Sequence, residues 1–150
     1  LSIFCSMSLL LLSGCQSQPS ALGSTSRSKE APLKVKRLQD GIQNIHWSMT
    51  EINGEKVKMF AQTPFIQLDA NVQLLNGHTG CNPLFGKYDL NTQSMRLKFD
   101  VRSGHQSCDN ALAQEANLLD ALGHAQRYQL VGNRMHVFDA RGQLILMLQK

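Results

Sequence analysis

The span Asn76-Gly77-His78-Thr79-Gly80-Cys81-Asn82-Pro83-Leu84-Phe85-Gly86-Lys87-Tyr88 excludes more folds than any other part of the chain. It places three glycines, a cysteine, two asparagines and a proline between two runs that read as strand. Glycine reaches backbone angles that other residues avoid, and proline removes a ladder donor, so the chain must turn or bulge here. A helix through this span is excluded. Cys81 has one partner of suitable placement downstream, Cys108.

The flanking segments carry β patterns. Residues 46–52 alternate apolar and polar side chains, and Asn53-Gly54 follows as a hairpin turn. Trp47, the one tryptophan, reads as a core anchor. Ile66, Leu68, Ala70, Val72 and Leu74 recur at a spacing of two, and Asp69-Ala70-Asn71 in their midst predicts a hairpin rather than one long strand. Residues 86–90 are expected to be strand. Residues 95–102 alternate apolar and charged side chains without a break, so one face must be core and the other water. Residues 109–123 predict a helix capped by Asp109 or Asn110 and ended by Gly123. Leu112, Ala116, Leu119 and Leu122 lie on its buried face, with Leu118 flanking. Three strands close the chain at 126–131, 134–139 and 143–149, joined by Gly132-Asn133 and Ala140-Arg141-Gly142.

The first residues bear on compartment. An apolar run from Ile3 to Leu12 has the length of a leader core and is too short to span a bilayer. Leu12-Ser13-Gly14-Cys15 resembles the bacterial lipobox, in which the leader is cut before a cysteine that then carries lipid. Gln16 in place of aspartate resembles an outer-membrane address. Residues 1–14 are thus expected to be a lipoprotein signal peptide, missing the basic segment that precedes such a core, as from a truncated or misassigned start. Cys15 is the expected lipid anchor, and residues 15–42, poor in large apolar side chains, a flexible tether. The domain is expected over 43–150. Removing Cys5 with the leader and committing Cys15 to lipid leaves Cys81 and Cys108 as an even pair in an oxidising compartment, which predicts a disulfide.

Gly80-Cys81-Asn82-Pro83-Leu84-Phe85-Gly86-Lys87-Tyr88 resembles the Gly-Cys-Asn-x-aromatic/aliphatic-Phe-Gly-x-Tyr motif of the META domain, or HslJ-like, family. Trp47, Cys108, Glu115, Tyr128 and the Gly132-Asn133 turn resemble further family positions. Ser103-Gly104-His105-Gln106-Ser107 departs from the Thr-containing run that usually precedes the second cysteine. The resemblance implies an α+β fold: a small antiparallel sheet, barrel-like and partly open, with one packed helix. It implies a broad association with envelope stress, secretion or motility and no established catalytic residues; no cofactor is expected. A protein facing the periplasm from the outer membrane is therefore expected, non-enzymatic and held to the membrane by its lipid. The alternative function is a binding module for a lipid or hydrophobic peptide, by analogy with pilot proteins and secretion chaperones. Its partner would be an envelope protein or a hydrophobic ligand.

The histidines and cysteines around the turn offer other chemistries. His78-Thr79-Gly80-Cys81 and His105-Gln106-Ser107-Cys108 form two His-x-x-Cys arms whose ligand set tetrahedral zinc accepts. Oxidation would consume both sulfurs first, so no metal is the expectation. Cys81 with His78 as base lacks an acidic orienter at a recognisable spacing. Glu51, Glu55, Asp69, Asp89, Asp100 and Glu115 read as solvated carboxylates. The formal net charge of +4 is spread along the chain, which gives no nucleic-acid footprint.

Overall fold

The structure, a computed structural model, describes residues 41–150. The signal peptide, the Cys15 anchor and the tether fall outside the described residues, apart from the last positions of the tether. Nine strands and one helix follow in the order β1 (His46–Ile52), β2 (Glu55–Lys56), β3 (Phe65–Asp69), β4 (Leu74–His78), β5 (Pro83–Asn91), β6 (Arg96–Ser103), α1 (Leu112–His124), β7 (Arg127–Val131), β8 (Arg134–Phe138) and β9 (Leu144–Gln149). The strands form one antiparallel sheet in the order β2-β1-β3-β4-β5-β6-β7-β8-β9, and β1 also pairs with β9. The sheet therefore curls into a ring. The fold is α+β, as the sequence implies.

The ring is uneven. β5 and β6 pair along eight residues, from Leu84 opposite Ser103 to Asn91 opposite Arg96. β6 and β7 meet through a single ladder pair, Arg96 opposite Arg127. The partly open character expected of the barrel is located at this seam. Helix α1 connects β6 to β7 and packs on β6.

Alternation decides which side chains enter the ring. Trp47, Met49, Ile66, Leu68, Leu75, Leu84, Leu97, Met135, Val137, Leu146 and Leu148 point inward and are buried, with Leu118 and Leu122 of the helix against them. Trp47 is the anchor its sequence position suggests, and its Nε1–H donates to the Ile42 carbonyl at 2.8 Å, which draws Ile42 into the core. The hairpin expected at Asp69-Ala70-Asn71 forms, with Asp69 Oδ1 accepting the Asn71 N–H at 2.7 Å. It also breaks the spacing of two: beyond the turn Leu75 is buried, whereas Val72 and Leu74 face outward.

Three expectations for the helix are corrected. It begins at Leu112 after Ala111, and no side chain caps it, so neither Asp109 nor Asn110 serves. It ends at His124, leaving Gly123 inside the last turn rather than beyond it. Its buried face is Glu115, Leu118, Ala121 and Leu122, while Leu112 is 79% exposed. The helix is rotated relative to the purely apolar stripe because the stripe it buries includes a carboxylate.

Two glycines of the central span do more than turn the chain. Gly77 and Gly86 lie within β4 and β5, so β5 begins at Pro83, three residues ahead of the strand expected at 86. A Cβ on Gly86 would collide with the Asp100 carbonyl oxygen and lie 2.7 Å from the Val101 Cα. One on Gly77 would meet the Phe65 carbonyl oxygen. At these two glycines β4 approaches β3, and β5 approaches β6, more closely than a residue with a side chain would allow.

At the far end of the sheet, the Asp139 carboxylate organises the β8–β9 turn. It accepts the Gln143 and Arg141 backbone N–H groups, each at 2.9 Å, and the Arg141 Nε–H at 3.1 Å. The Gln143 bond holds its pKa below the ordinary carboxylate value; burial opposes it, and the Arg141 contacts add to the lowering.

Candidate functional site

Thr79 starts the site. Its hydroxyl oxygen accepts the Asn82 N–H at 2.8 Å and the Cys81 N–H at 3.3 Å, a Ser/Thr turn that folds residues 79–82 back on themselves. Gly80 takes φ +100° inside that turn, a left-handed angle suited to glycine. The geometry turns the Cys81 and Asn82 side chains toward the segment that follows β6.

Cys81 and Cys108 form a disulfide, with Cα atoms 5.9 Å apart. Asn82, 1% exposed, sits beside it and joins three elements. Its Oδ1 accepts the Gln106 N–H at 2.7 Å, and its Nδ2 donates to the Gln106 carbonyl at 2.9 Å. The same amide nitrogen donates to both oxygens of Glu115, at 3.1 and 3.0 Å. Glu115 is only 8% exposed. The expectation that it is a solvated carboxylate is therefore overturned: the first turn of α1 brings it under the turn, where Asn82 holds it. The bond and the amide together tie the β4–β5 turn, the loop before the helix and the helix itself.

His78 flanks this cluster and is half-buried. Its Nδ1 accepts the Gly80 N–H at 3.0 Å. Burial lowers its pKa from the ordinary 6.5, and the nearby Glu115 charge opposes that shift in part. A group whose folded pKa is depressed lets the unfolded chain take up protons first. Stability is thus expected to hold above pH 6.5 and to fall as the pH drops below it through the folded value, then to level. His78→Gln should flatten that slope, measured by urea unfolding across the window. A slope unchanged by the substitution would show that other groups carry it.

The remaining motif residues separate. Tyr88 is core: its hydroxyl accepts from Gln43 Nε2 at 2.6 Å and donates to the Asp69 carbonyl at 2.9 Å. Phe85 lies on the outer face of β5, 50% exposed, and so does not pack the turn. Gly86 serves the close approach of β5 and β6. His105 is exposed in the loop before the second cysteine. The zinc alternative fails on the sulfurs, which are bonded to each other. Among the described residues no group of three His, Cys, Asp or Glu side chains could hold a metal ion. The Cys81–His78 nucleophile fails for the same reason.

A groove of about 410 Å³ opens against this cluster, within the range typical of ligand sites. One wall is the loop from Ser103 to the second cysteine. The other is α1, through Leu112, Glu115, Ala116 and Leu119. The sequence carries little trace of it. Gln106 contributes through its backbone, which no residue type announces. Thr79 ahead of Gly80-Cys81-Asn82 is the signal that was available, since a threonine two and three residues before free N–H groups suggests such a turn.

The fold and site define a class: a small antiparallel ring, stapled by one disulfide, with a helix pinned beside the staple through an asparagine–glutamate pair. Residues 40–150 match the family model of the META domain. The chain belongs to the META domain family. Solved structures agree in fold. One, determined by NMR, has a TM-score of 0.58 at 18% identity, covering 73% of this chain and 92% of its own. A second NMR structure, of a protein from Burkholderia xenovorans, gives 0.55 at 18% identity, covering 73% of this chain and 83% of its own. A DUF4847 family protein from Bacteroides vulgatus gives 0.50 at 13% identity, covering 57% of each chain. No curated protein matches the chain in sequence.

Proposed function

We propose that this META-family domain is a non-enzymatic interaction module of the bacterial envelope, held to the outer membrane by lipid on Cys15 and facing the periplasm, where it serves envelope maintenance or stress tolerance. The observation that carries this reading is the Cys81–Cys108 disulfide beside the helix, because such bonds persist in oxidising compartments. The Leu12-Ser13-Gly14-Cys15 pattern supports the anchor independently. The clamp around Asn82 has the character of a scaffold, since it ties the β4–β5 turn, the following loop and α1 together.

The second reading, a module for a lipid or hydrophobic peptide, draws support from the groove along α1 rather than from the barrel interior. Inside the ring, Trp47, Met49, Leu97, Met135 and Leu146 fill the space, so an occupant is better accommodated outside.

Anchoring is tested by growing cells that express the full-length protein with labelled palmitate. Label should enter the protein and disappear with Cys15→Ala, which should also move it from the membrane to the soluble fraction. An unlabelled protein, or label that survives Cys15→Ala, would remove the anchor from this account.

A further inference from the structure

A buried carboxylate is normally paired with a cation or surrounded by donors, because taking the charge out of water is costly. Glu115 departs from this. Its two oxygens share one donor group, the Asn82 amide, although a carboxylate offers about four acceptor sites. No Lys, Arg or His among the described residues forms an ion pair with it. His78 feels its charge, but burial lowers the pKa of that imidazole and so disfavours its cationic form. Glu115 lines the groove between the loop and α1. On the same wall stand Ala116, Leu119 and Leu112, the last 79% exposed.

We propose that this groove binds an extended peptide segment of a partner protein, seating a Lys or Arg side chain against Glu115 and an adjacent apolar side chain against Leu112 and Leu119. The charge complementarity fixes the occupant. An anionic or wholly apolar segment would leave the Glu115 carboxylate without a cation and would remove its remaining water, whereas a basic side chain supplies the missing donors. Lys and Arg also bring an apolar stem that can lie along Ala116. The groove runs open along the helix surface, which admits a chain as well as a side chain.

This inference rests on the reading of the domain as an interaction module and is independent of the lipid on Cys15. The test is calorimetric titration of the full chain with a blocked Ala-Leu-Lys-Leu-Ala peptide. Its controls are the same peptide with norleucine or glutamate in place of lysine, and hexylamine. Lysine is expected to bind roughly 10- to 100-fold more tightly than norleucine, the range of a charge-assisted hydrogen bond. Glu115→Gln, which can still accept from Asn82, should abolish that discrimination. Leu112→Ser, on an exposed site that cannot unfold the domain, should weaken the lysine and norleucine peptides alike. Equal binding of both peptides, or discrimination that survives Glu115→Gln, would overturn the proposal. Hexylamine binding as tightly as the peptide would overturn the peptide in favour of a free amine. A photo-cross-linker at Leu112 in cells separates the two readings. A partner captured there with no dependence on Glu115 would leave the module standing and remove the cation site.

Discussion

Asn82→Ala is expected to lower the unfolding free energy by about 3–5 kcal/mol, a large part of the 5–15 kcal/mol typical of a domain. The substitution removes a small side chain, but three polar groups lose their partner together, the buried Glu115 carboxylate among them. The Gln106 N–H and carbonyl lose the bonds at 2.7 and 2.9 Å, and the Glu115 carboxylate loses its donor. An uncompensated buried charge dominates the sum. Urea unfolding of the two proteins measures the difference. Combining Asn82→Ala with Glu115→Leu should recover part of the loss, since the second change removes the stranded charge. A loss below about 1 kcal/mol, the net worth of one ordinary hydrogen bond, would show that water replaces the amide and that no clamp exists.

Opening the disulfide is the second large effect. Bonding residues 27 apart removes chain entropy from the unfolded state worth about 3.5 kcal/mol, less any native strain. The Cys81→Ala, Cys108→Ala double variant is expected to lose that much, seen as a fall in Tm of more than about 10 °C for a domain of this size. The local signature is more informative. With the staple gone, the loop between β6 and α1 is held chiefly by Asn82, so exchange of the Gln106 amide hydrogen should quicken by more than exchange in β3 or β8. Uniform acceleration across the sheet would indicate that the bond acts only through global stability, with no special hold on the loop.

The β architecture was legible because alternation and turn chemistry agree over much of the chain. Leu97, Phe99 and Val101 against Lys98, Asp100 and Arg102 leave one arrangement for β6. Asn53-Gly54 and Gly132-Asn133 mark their hairpins by residue type alone. The helix was located but turned wrongly. A stripe of Leu112, Ala116, Leu119 and Leu122 is the more apolar choice, and nothing local reveals that Asn82, 33 residues upstream, waits to receive Glu115. Phe85 misleads in the reverse sense: an aromatic in a glycine-rich turn invites a packing role, yet the pleat of β5 points it outward. The disulfide followed from counting cysteines once a compartment was inferred, whereas the groove arises from three separated segments and has no sequence signature of its own.

The pairing of β1 with β9 governs when the molecule can be finished. Thr50 donates to the Met147 carbonyl across 97 residues, and Ser48 aligns with Gln149. A strand that emerges early must therefore wait, one edge bare, for its neighbour to be synthesised and delivered. Hairpins such as β3–β4 and β7–β8 can form as they appear, but the last seam joins remote parts of the chain, a topology that slows folding. Until then the ring cannot close, and removing the final strand would leave both β1 and β8 with a bare edge.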